Sequence, residues 1–472
     1  MNEFFNLIPF IIISVGILLS ILIEMYSKNS KKIIAWFSIL IFLTAAFHSL
    51  YYVDKAQLYF NNMLQVGGNT NIFIFIFNFS AALIVLMSID YAEKYGNNIG
   101  EFYIILQISV LGMMLMAGAK DLFVIFLGLE IMSVSFYALA GLNRNKLKAN
   151  EAAIKYFLLG AFATGFIVYG IALIFGSTNS TSIEHIANNF SVLSHNFLFI
   201  AGILLFLIGF SFKMAAFPFH MWVPDVYEGS STTVAGFFST AGKSAAFSAV
   251  IVTLGAVFMH GNINVFEPYL SVLAVASMLY GSIVAIAQNN IKRMLAYSSI
   301  AHAGYLLIGL ASGNYEGIAG IIFYLTAYTF MNLGAFGVVA LIEGKDETNL
   351  TFDSYSGLAK RQPILAAMLA ICMFSLAGIP PFAGFFGKYY IFIAAIKADL
   401  TWLAIIGVLS SVISVYFYLK VIVIMYFDES EKEITFVKGN YGLLSVVISV
   451  LLVILIGIMP GSLIDVITSF LK

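Results

Sequence analysis

The sequence predicts an all-α integral membrane protein of about fourteen transmembrane helices. Three observations carry that reading. Of 472 residues, 61% are hydrophobic and only 10% are charged, whereas a water-soluble domain of this size carries about 25% charged residues. The mean hydropathy is +0.97. The apolar stretches are continuous and roughly 20 residues long. Barrel strands would alternate apolar and polar residues instead. In lipid the backbone must satisfy its own hydrogen bonds, so these stretches read as helices.

The runs fall at about 4–24, 33–51, 71–91, 102–119, 121–141, 151–176, 196–228, 232–258, 266–288, 292–311, 315–343, 362–397, 400–427 and 441–468. The first is read as a retained helix and not a signal peptide. Its only early charge is Glu3 where a signal carries Lys or Arg, and its apolar stretch continues to Ile23. The seventh and twelfth runs are too long for one simple span and hold prolines in mid-run, at Pro218 and at Pro380 and Pro381. Proline removes a backbone donor and breaks a helix, so each of these runs is expected as two half-helices.

Basic residues orient the chain. With the N-terminus outside, the inner loops hold Lys28, Lys31, Lys32, Lys94, Arg144, Lys146, Lys148, Lys292, Arg293, Lys345, Lys360, Arg361, Lys432 and Lys438. The outer segments hold only Lys55, Lys120, Lys397 and Lys472. An even number of helices then puts both termini on the outer side. The remaining basic residues, Lys155, Lys213, Lys243, Lys388 and Lys420, lie inside apolar runs.

Several function classes are excluded. The single cysteine, Cys372, sits in an apolar run and can neither hold an iron–sulfur cluster nor form an internal disulfide. The six histidines are scattered, and no Gly-rich phosphate loop follows a strand pattern. With a net charge of −1, nothing points to nucleic acid. Metal and cofactor sites are therefore not expected in this chain, and redox chemistry is assigned to partner chains.

An internal repeat is visible. Phe212-Lys-Met-Ala-Ala-Phe-Pro218 matches Phe374-Ser-Leu-Ala-Gly-Ile-Pro380 at a spacing of 162 residues, and the match falls on the two broken runs. Five spans separate the copies, so the second is inverted, as in secondary transporters. The expected organisation is an N-terminal three-helix segment (1–101), a first five-helix repeat (102–258), a second, inverted repeat (259–428) and a C-terminal helix (429–472).

The ionisable residues inside the runs carry the chemistry. Glu130 lies midway along the fifth run, with Ser133 and Tyr137 on its helical face. A buried unpaired carboxylate is costly, so Glu130 is expected to be protonated or paired with a cation; a structural ion pair is the competing reading. Lys213 precedes Pro218 by five residues, near the C-terminal end of a half-helix, where the dipole favours a cation. Lys243 lies mid-way along the eighth run with Ser239 and Thr240 one turn behind it. A lysine at that depth costs several kcal/mol unless hydrated or paired. Lys388 follows Pro380 by eight residues, where it either carries protons or anchors the break.

His220 follows the first break. His302 shares a face with Ser298, Ser299 and Tyr305. Both are proton relays or hydrogen-bonded core histidines. Lys155 and Lys420 lie near helix ends and can snorkel. Asp225 and Glu228 are expected in a loop at the inner surface. A series of ionisable groups at bilayer depth is the signature of a proton relay.

Three segments carry a family resemblance. They are Phe217-Pro-Phe-His-Met-Trp-Val-Pro-Asp-Val-Tyr-Glu-Gly229, Gln288-Asn-Asn-Ile-Lys-Arg-Met-Leu-Ala-Tyr-Ser-Ser-Ile-Ala-His302 and Gly378-Ile-Pro-Pro-Phe-Ala-Gly-Phe-Phe-Gly-Lys388. With them the chain resembles the antiporter-like membrane subunits of bacterial NADH:quinone oxidoreductase, respiratory complex I, and among these the subunit N branch. The Asp-Val-Tyr-Glu-Gly ending is particular to that branch, and Lys388 stands where the M branch carries glutamate. The chain also stops soon after the last run, without the long lateral helix of the L branch. It departs from the family at Ser230-Ser-Thr-Thr, where relatives carry a proline.

The resemblance implies a proton-translocating subunit in the bacterial cytoplasmic membrane. It implies roles for Glu130 and its partner Lys213, for a central Lys243 and for Lys388, with Lys155 and His220 lining a half-channel. Its expected partners are the other membrane-arm subunits, lipid and protons, with quinone, NADH, FMN and iron–sulfur clusters in partner subunits. A cation/proton antiporter subunit and a non-conducting scaffold are the alternatives.

Overall fold

The computed structural model describes residues 2–54, 56–95, 99–260, 265–344, 348–429 and 439–471. Of the basic residues used for orientation, Lys55, Lys345, Lys432, Lys438 and Lys472 lie outside them. The helices are α1 Ile8–Tyr26, α2 Ser30–Tyr51, α3 Asn69–Tyr95, α4 Gly100–Gly118, α5 Leu122–Ala140, α6 Leu147–Thr178, α7 Ile183–Asn188, α8 Phe190–Leu193, α9 Phe197–Lys213, α10 Trp222–Gly229, α11 Thr232–Phe237, α12 Lys243–His260, α13 Glu267–Ile286, α14 Ile291–Ala311, α15 Tyr315–Ile342, α16 Leu358–Arg361, α17 Pro363–Ala377, α18 Ala383–Lys397, α19 Thr401–Phe427, α20 Asn440–Ile458 and α21 Pro460–Ser469. Among the described residues, 12 helical spans are long and apolar enough to cross a membrane, and α9 and α17 are shorter apolar helices. The chain is an all-α membrane protein of the kind its composition requires.

Three features depart from the sequence reading. A short antiparallel hairpin, β1 Gln57–Tyr59 with β2 Leu64–Val66, fills the segment before α3. The last apolar run is not one helix, because it divides at Met459 and restarts with Pro460 as α21. The eighth run contains a π-helical turn, Phe238–Gly242, between α11 and α12.

The two central breaks were legible from their prolines, and their geometry is shared. At the second, Gly378 takes φ +86°, and the amides of Gly378 and Ile379 bond back to Ser375 and Phe374. This is the Schellman arrangement, which wants glycine at the left-handed position. At the first break Ala215 occupies that position with φ +65°. The amides of Ala215 and Ala216 bond back to Phe212 and Ser211 in the same pattern. A left-handed alanine costs on the order of 1–2 kcal/mol. Ala215 therefore corresponds to Gly378, and the cis Pro218 to the cis Pro381. The matching register is one residue longer than the spacing the sequence match gave.

Close helix contacts rest on small residues, as expected where lipid supplies no hydrophobic drive. A Cβ on Gly112 of α4 would lie 2.6 Å from the Gly128 carbonyl of α5, and one on Gly170 of α6 would lie 2.6 Å from the Gly202 carbonyl of α9. At the centre stands α15, buried continuously from Gly317 to Ile342. It carries polar side chains on several faces, so it can only sit inside a bundle.

Candidate functional site

Lys213, Lys243 and Lys388 are 6%, 2% and 4% exposed, and His302 is 1% exposed. None of the three lysines takes part in an ion pair among the described residues; the ion pairs there join half-exposed and exposed side chains. Each lysine is held by neutral groups instead.

Lys213 is the last residue of α9, immediately before the first break. Its Nζ donates to Ser133 Oγ at 2.8 Å and to Tyr137 Oη at 3.1 Å. Both acceptors lie on the Glu130 face of α5, as the helical spacing predicts. Glu130 itself accepts from Thr164 Oγ1 of α6 at 2.9 Å. The expected Glu130–Lys213 ion pair is not formed; Lys213 reaches hydroxyls on the Glu130 face of α5, and Glu130 bonds to α6. The carbonyl of Phe212 at the break accepts from Trp222 Nε1 at 3.0 Å as well as from the Ala215 amide at 3.1 Å. The Phe217 amide is taken by Ser277 Oγ at 2.9 Å. Side chains thus satisfy backbone groups at the break.

Lys243 starts α12 directly after the π-turn, an element that often marks functional positions. Its Nζ donates to the Ser299 carbonyl of α14 and lies 5.4 Å from the centre of the Tyr328 ring. Ser239 and Thr240, expected beside it, bond to the Gly236 carbonyl, because the π-turn changes the helical register between them and Lys243. Asn332 of α15 ties this turn in place, donating to Ser239 Oγ at 2.7 Å and Tyr328 Oη at 3.1 Å.

His302 is one turn along α14 from Ser298 and Ser299. Its Nδ1 meets the Tyr324 hydroxyl and its Nε2 the Tyr418 hydroxyl at 2.9 Å. Tyr418 also bonds Ser298. Lys388 of α18 donates to the Ala377 carbonyl at the end of α17 at 3.0 Å and to Ser411 Oγ at 2.8 Å. It lies 4.8 Å from the centre of the Tyr305 ring, which packs against His302 at 5.7 Å. Lys388 therefore does anchor the second break, and it also joins the polar chain.

Two clusters result. Glu130, Thr164, Ser133, Tyr137 and Lys213 form the first; Lys243, His302, Tyr324, Tyr328, Tyr418, Tyr305 and Lys388 form the second. Between them stand aromatic rings, with Phe136 4.3 Å from Phe238 and Tyr156 5.8 Å from Phe238. Thr164, Tyr324, Tyr328, Asn332, Ser411 and Tyr418 were missed from the sequence.

Other expected residues lie elsewhere. His220 is buried between Phe217 and Tyr280, with ring centres 5.3 and 4.5 Å away, and its Nδ1 has no hydrogen-bond partner among the described residues. Lys155 sits in a half-exposed ionic network, 2.7 Å from Glu151 and 2.8 Å from Asp225. Asp225 and Glu228 are not in a loop. They belong to α10 and are bridged by Arg293 Nη1 of α14 at 3.0 and 2.7 Å. Lys292, assigned to an inner loop, is buried and donates to the carbonyls of Glu228 and Ser230 at 2.9 and 2.7 Å. Lys420 extends over the Phe352 ring at 4.9 Å. Buried Glu343, which accepts from Thr232 Oγ1 at 2.6 Å, was not anticipated. The ionic network fastens α10 to α14. Arg293→Ala is expected to lower stability by about 1 kcal/mol, measured as a fall in the thermal midpoint of the purified protein that high salt narrows in the wild type.

Residues 119–414 match the family described as "NADH:quinone oxidoreductase/Mrp antiporter, TM". The chain belongs to this family. It is 45% identical over 430 residues to NADH-quinone oxidoreductase subunit N of Trichlorobacter lovleyi, covering 90% of this chain and 88% of that one. It is 43% identical over 469 residues to NADH-quinone oxidoreductase subunit N 1 of Chloroherpeton thalassium, covering 98% of each. Among solved structures, it matches a chain of respiratory complex I from Thermus thermophilus with bound aureothin. That match has a TM-score of 0.83 and 30% identity, over 97% of this chain and 98% of that one. In this chain the buried lysines Lys213, Lys243 and Lys388 lie on α9, α12 and α18, and the buried His302 on α14.

Proposed function

We propose that this chain is the N-type proton-translocating subunit of an NADH:quinone oxidoreductase, assembled with other membrane-arm subunits in the bacterial cytoplasmic membrane. Both termini are on the outer side. Quinone, NADH, FMN and iron–sulfur chemistry belong to partner subunits. Residues 102–258 and 259–428 act as inverted repeats, each supplying a half-channel around its broken helix.

The observation that carries the reading is the set of three buried lysines that have no carboxylate partner among the described residues. A scaffold would neutralise such charges in ion pairs or dispense with them, since an uncompensated lysine at bilayer depth costs several kcal/mol. Here each ammonium is met by hydroxyls, carbonyls and ring faces, which can hold the charged form and equally tolerate the neutral one. Lys243 passes a proton toward His302, whose two tyrosine partners fix its ring. Lys388 receives it beyond Tyr305.

The first cluster controls loading. A carboxylate brought against an ammonium favours its protonated form by about 1.4–4 kcal/mol. Moving one charge through about 100 mV costs about 2.3 kcal/mol. Movement of Glu130 toward and away from Lys213 is therefore of the right size to gate uphill transfer. The apolar Phe136–Phe238 contact between the clusters keeps them unconnected until that charge changes, in the manner of a hydrophobic gate. The 45% identical relative named for subunit N supports complex I over a cation/proton antiporter.

Glu130→Gln tests the gate. The amide keeps the acceptor for Thr164 but removes the charge. Quinone-coupled proton uptake in membranes is expected to fall about tenfold, equivalent to about 1.4 kcal/mol on the barrier, with normal amounts of assembled complex. Unchanged uptake would remove Glu130 from the mechanism.

A further inference from the structure

Two adjoining hollows open on the surface at the α1–α2 turn, apart from the polar axis of the bundle. One, of about 930 Å³, is lined by Lys28, Lys31, Lys32, Trp36 and Leu40. The other, of about 620 Å³, is lined by Leu19, Leu22, Ile23 and Tyr26. Lys28 and Phe37 line both, so the hollows flank a common ridge. The three lysines are exposed, and none has an ion-pair partner among the described residues. Below them the walls are exposed aliphatic side chains, including Leu19 at 43%, Leu22 at 48%, Ile33 at 45% and Leu40 at 59%. Trp36 packs edge-on against Tyr441 at 5.2 Å, which ties the ridge to the first turn of α20.

We propose that this surface is a binding site for one anionic phospholipid of the inner leaflet. Its phosphate lies among Lys28, Lys31 and Lys32, with one acyl chain in each hollow. The charge complementarity is one-sided: three cations face outward with no carboxylate paired to them, and lysines at this depth attract anionic headgroups. The dimensions agree. From Lys31 to Leu40 the helix rises about 14 Å, close to the depth of one leaflet of a hydrocarbon core about 30 Å thick. Two apolar hollows sharing one cationic head suit a two-chain lipid better than a single protein helix. The leaflet assignment rests on the orientation proposed above.

The test uses the assembled complex and a photoactivatable phosphatidylglycerol, with cross-linked peptides mapped by mass spectrometry. Labelling is expected within residues 19–40, competed by unlabelled phosphatidylglycerol but not by phosphatidylcholine or inorganic phosphate. The Lys28→Gln, Lys31→Gln, Lys32→Gln triple variant should lower labelling about fivefold per lysine, or about a hundredfold in all. Equal competition by phosphatidylcholine, unchanged labelling of the triple variant, or competition by inorganic phosphate alone would overturn the site. So would a photoreactive residue placed at Leu40 that cross-links a partner chain. If the triple variant fails to assemble, the headgroup selectivity of the wild type decides the question alone.

Discussion

The complex carrying Lys243→Met is expected to assemble, to melt no lower than the wild type, and to reduce quinone at about one-tenth of its rate or less, about 1.4 kcal/mol on the barrier. Stability and activity are expected to part company at this residue. Methionine fills nearly the same volume without a charge, so the variant escapes the several-kcal/mol cost of an uncompensated lysine at bilayer depth. Among the described residues the hydrogen bond lost is the one to the Ser299 carbonyl, and the Tyr328 ring accepts a thioether as readily as an ammonium. A lysine kept for structure would behave the other way, with loss of assembly and a normal rate in whatever complex remains. The checks are the amount of assembled complex on a native gel, its thermal midpoint, and quinone reduction per assembled complex.

Gly384→Val is expected to abolish assembly. Gly384 opens the second half of the second broken helix, and its amide bonds Ser375 Oγ at 3.1 Å. A Cβ there would lie 1.9 Å from the Ser375 carbonyl oxygen. The obstacle is backbone that is already committed to the cap of α17, so no side-chain rotation relieves it. Overpacking costs about 1–3 kcal/mol where side chains can move, and more is expected here. Because Lys388 hangs from the same junction, the variant should also fail in any fraction that inserts. Comparison of membrane levels of Gly384→Val and wild-type protein gives the answer; equal levels would mean that the two half-helices have room to separate.

The charged residues were readable because a lysine inside an apolar run has few innocent explanations. Lys213, Lys243 and Lys388 stand out on that ground alone, and prolines mark the breaks beside two of them. Their partners were not readable. Tyr324, Tyr328 and Tyr418 look like ordinary helix residues, and only the packing of α14, α15 and α19 brings them around His302. Thr164 is equally plain until α6 lays it against Glu130.

The register of the repeat was misjudged by one residue for a similar reason. The sequence match followed phenylalanine and proline, whereas the geometry is set by the left-handed cap, where Ala215 corresponds to Gly378. Alanine gives no warning of that conformation. The π-turn before Lys243 likewise has no proline to announce it. Asp225 and Glu228 looked like loop acids because they follow a break. Their pairing with Arg293 is a long-range contact between α10 and α14 that no local pattern records.

The most direct measurement follows proton uptake and quinone reduction together, in proteoliposomes containing the assembled Lys243→Ala complex. Both are expected to fall in parallel if the same buried amine carries the proton and limits the coupled reaction. If both remain normal in a fully assembled complex, Lys243 is not a carrier and protons bypass the Lys243–His302–Lys388 chain.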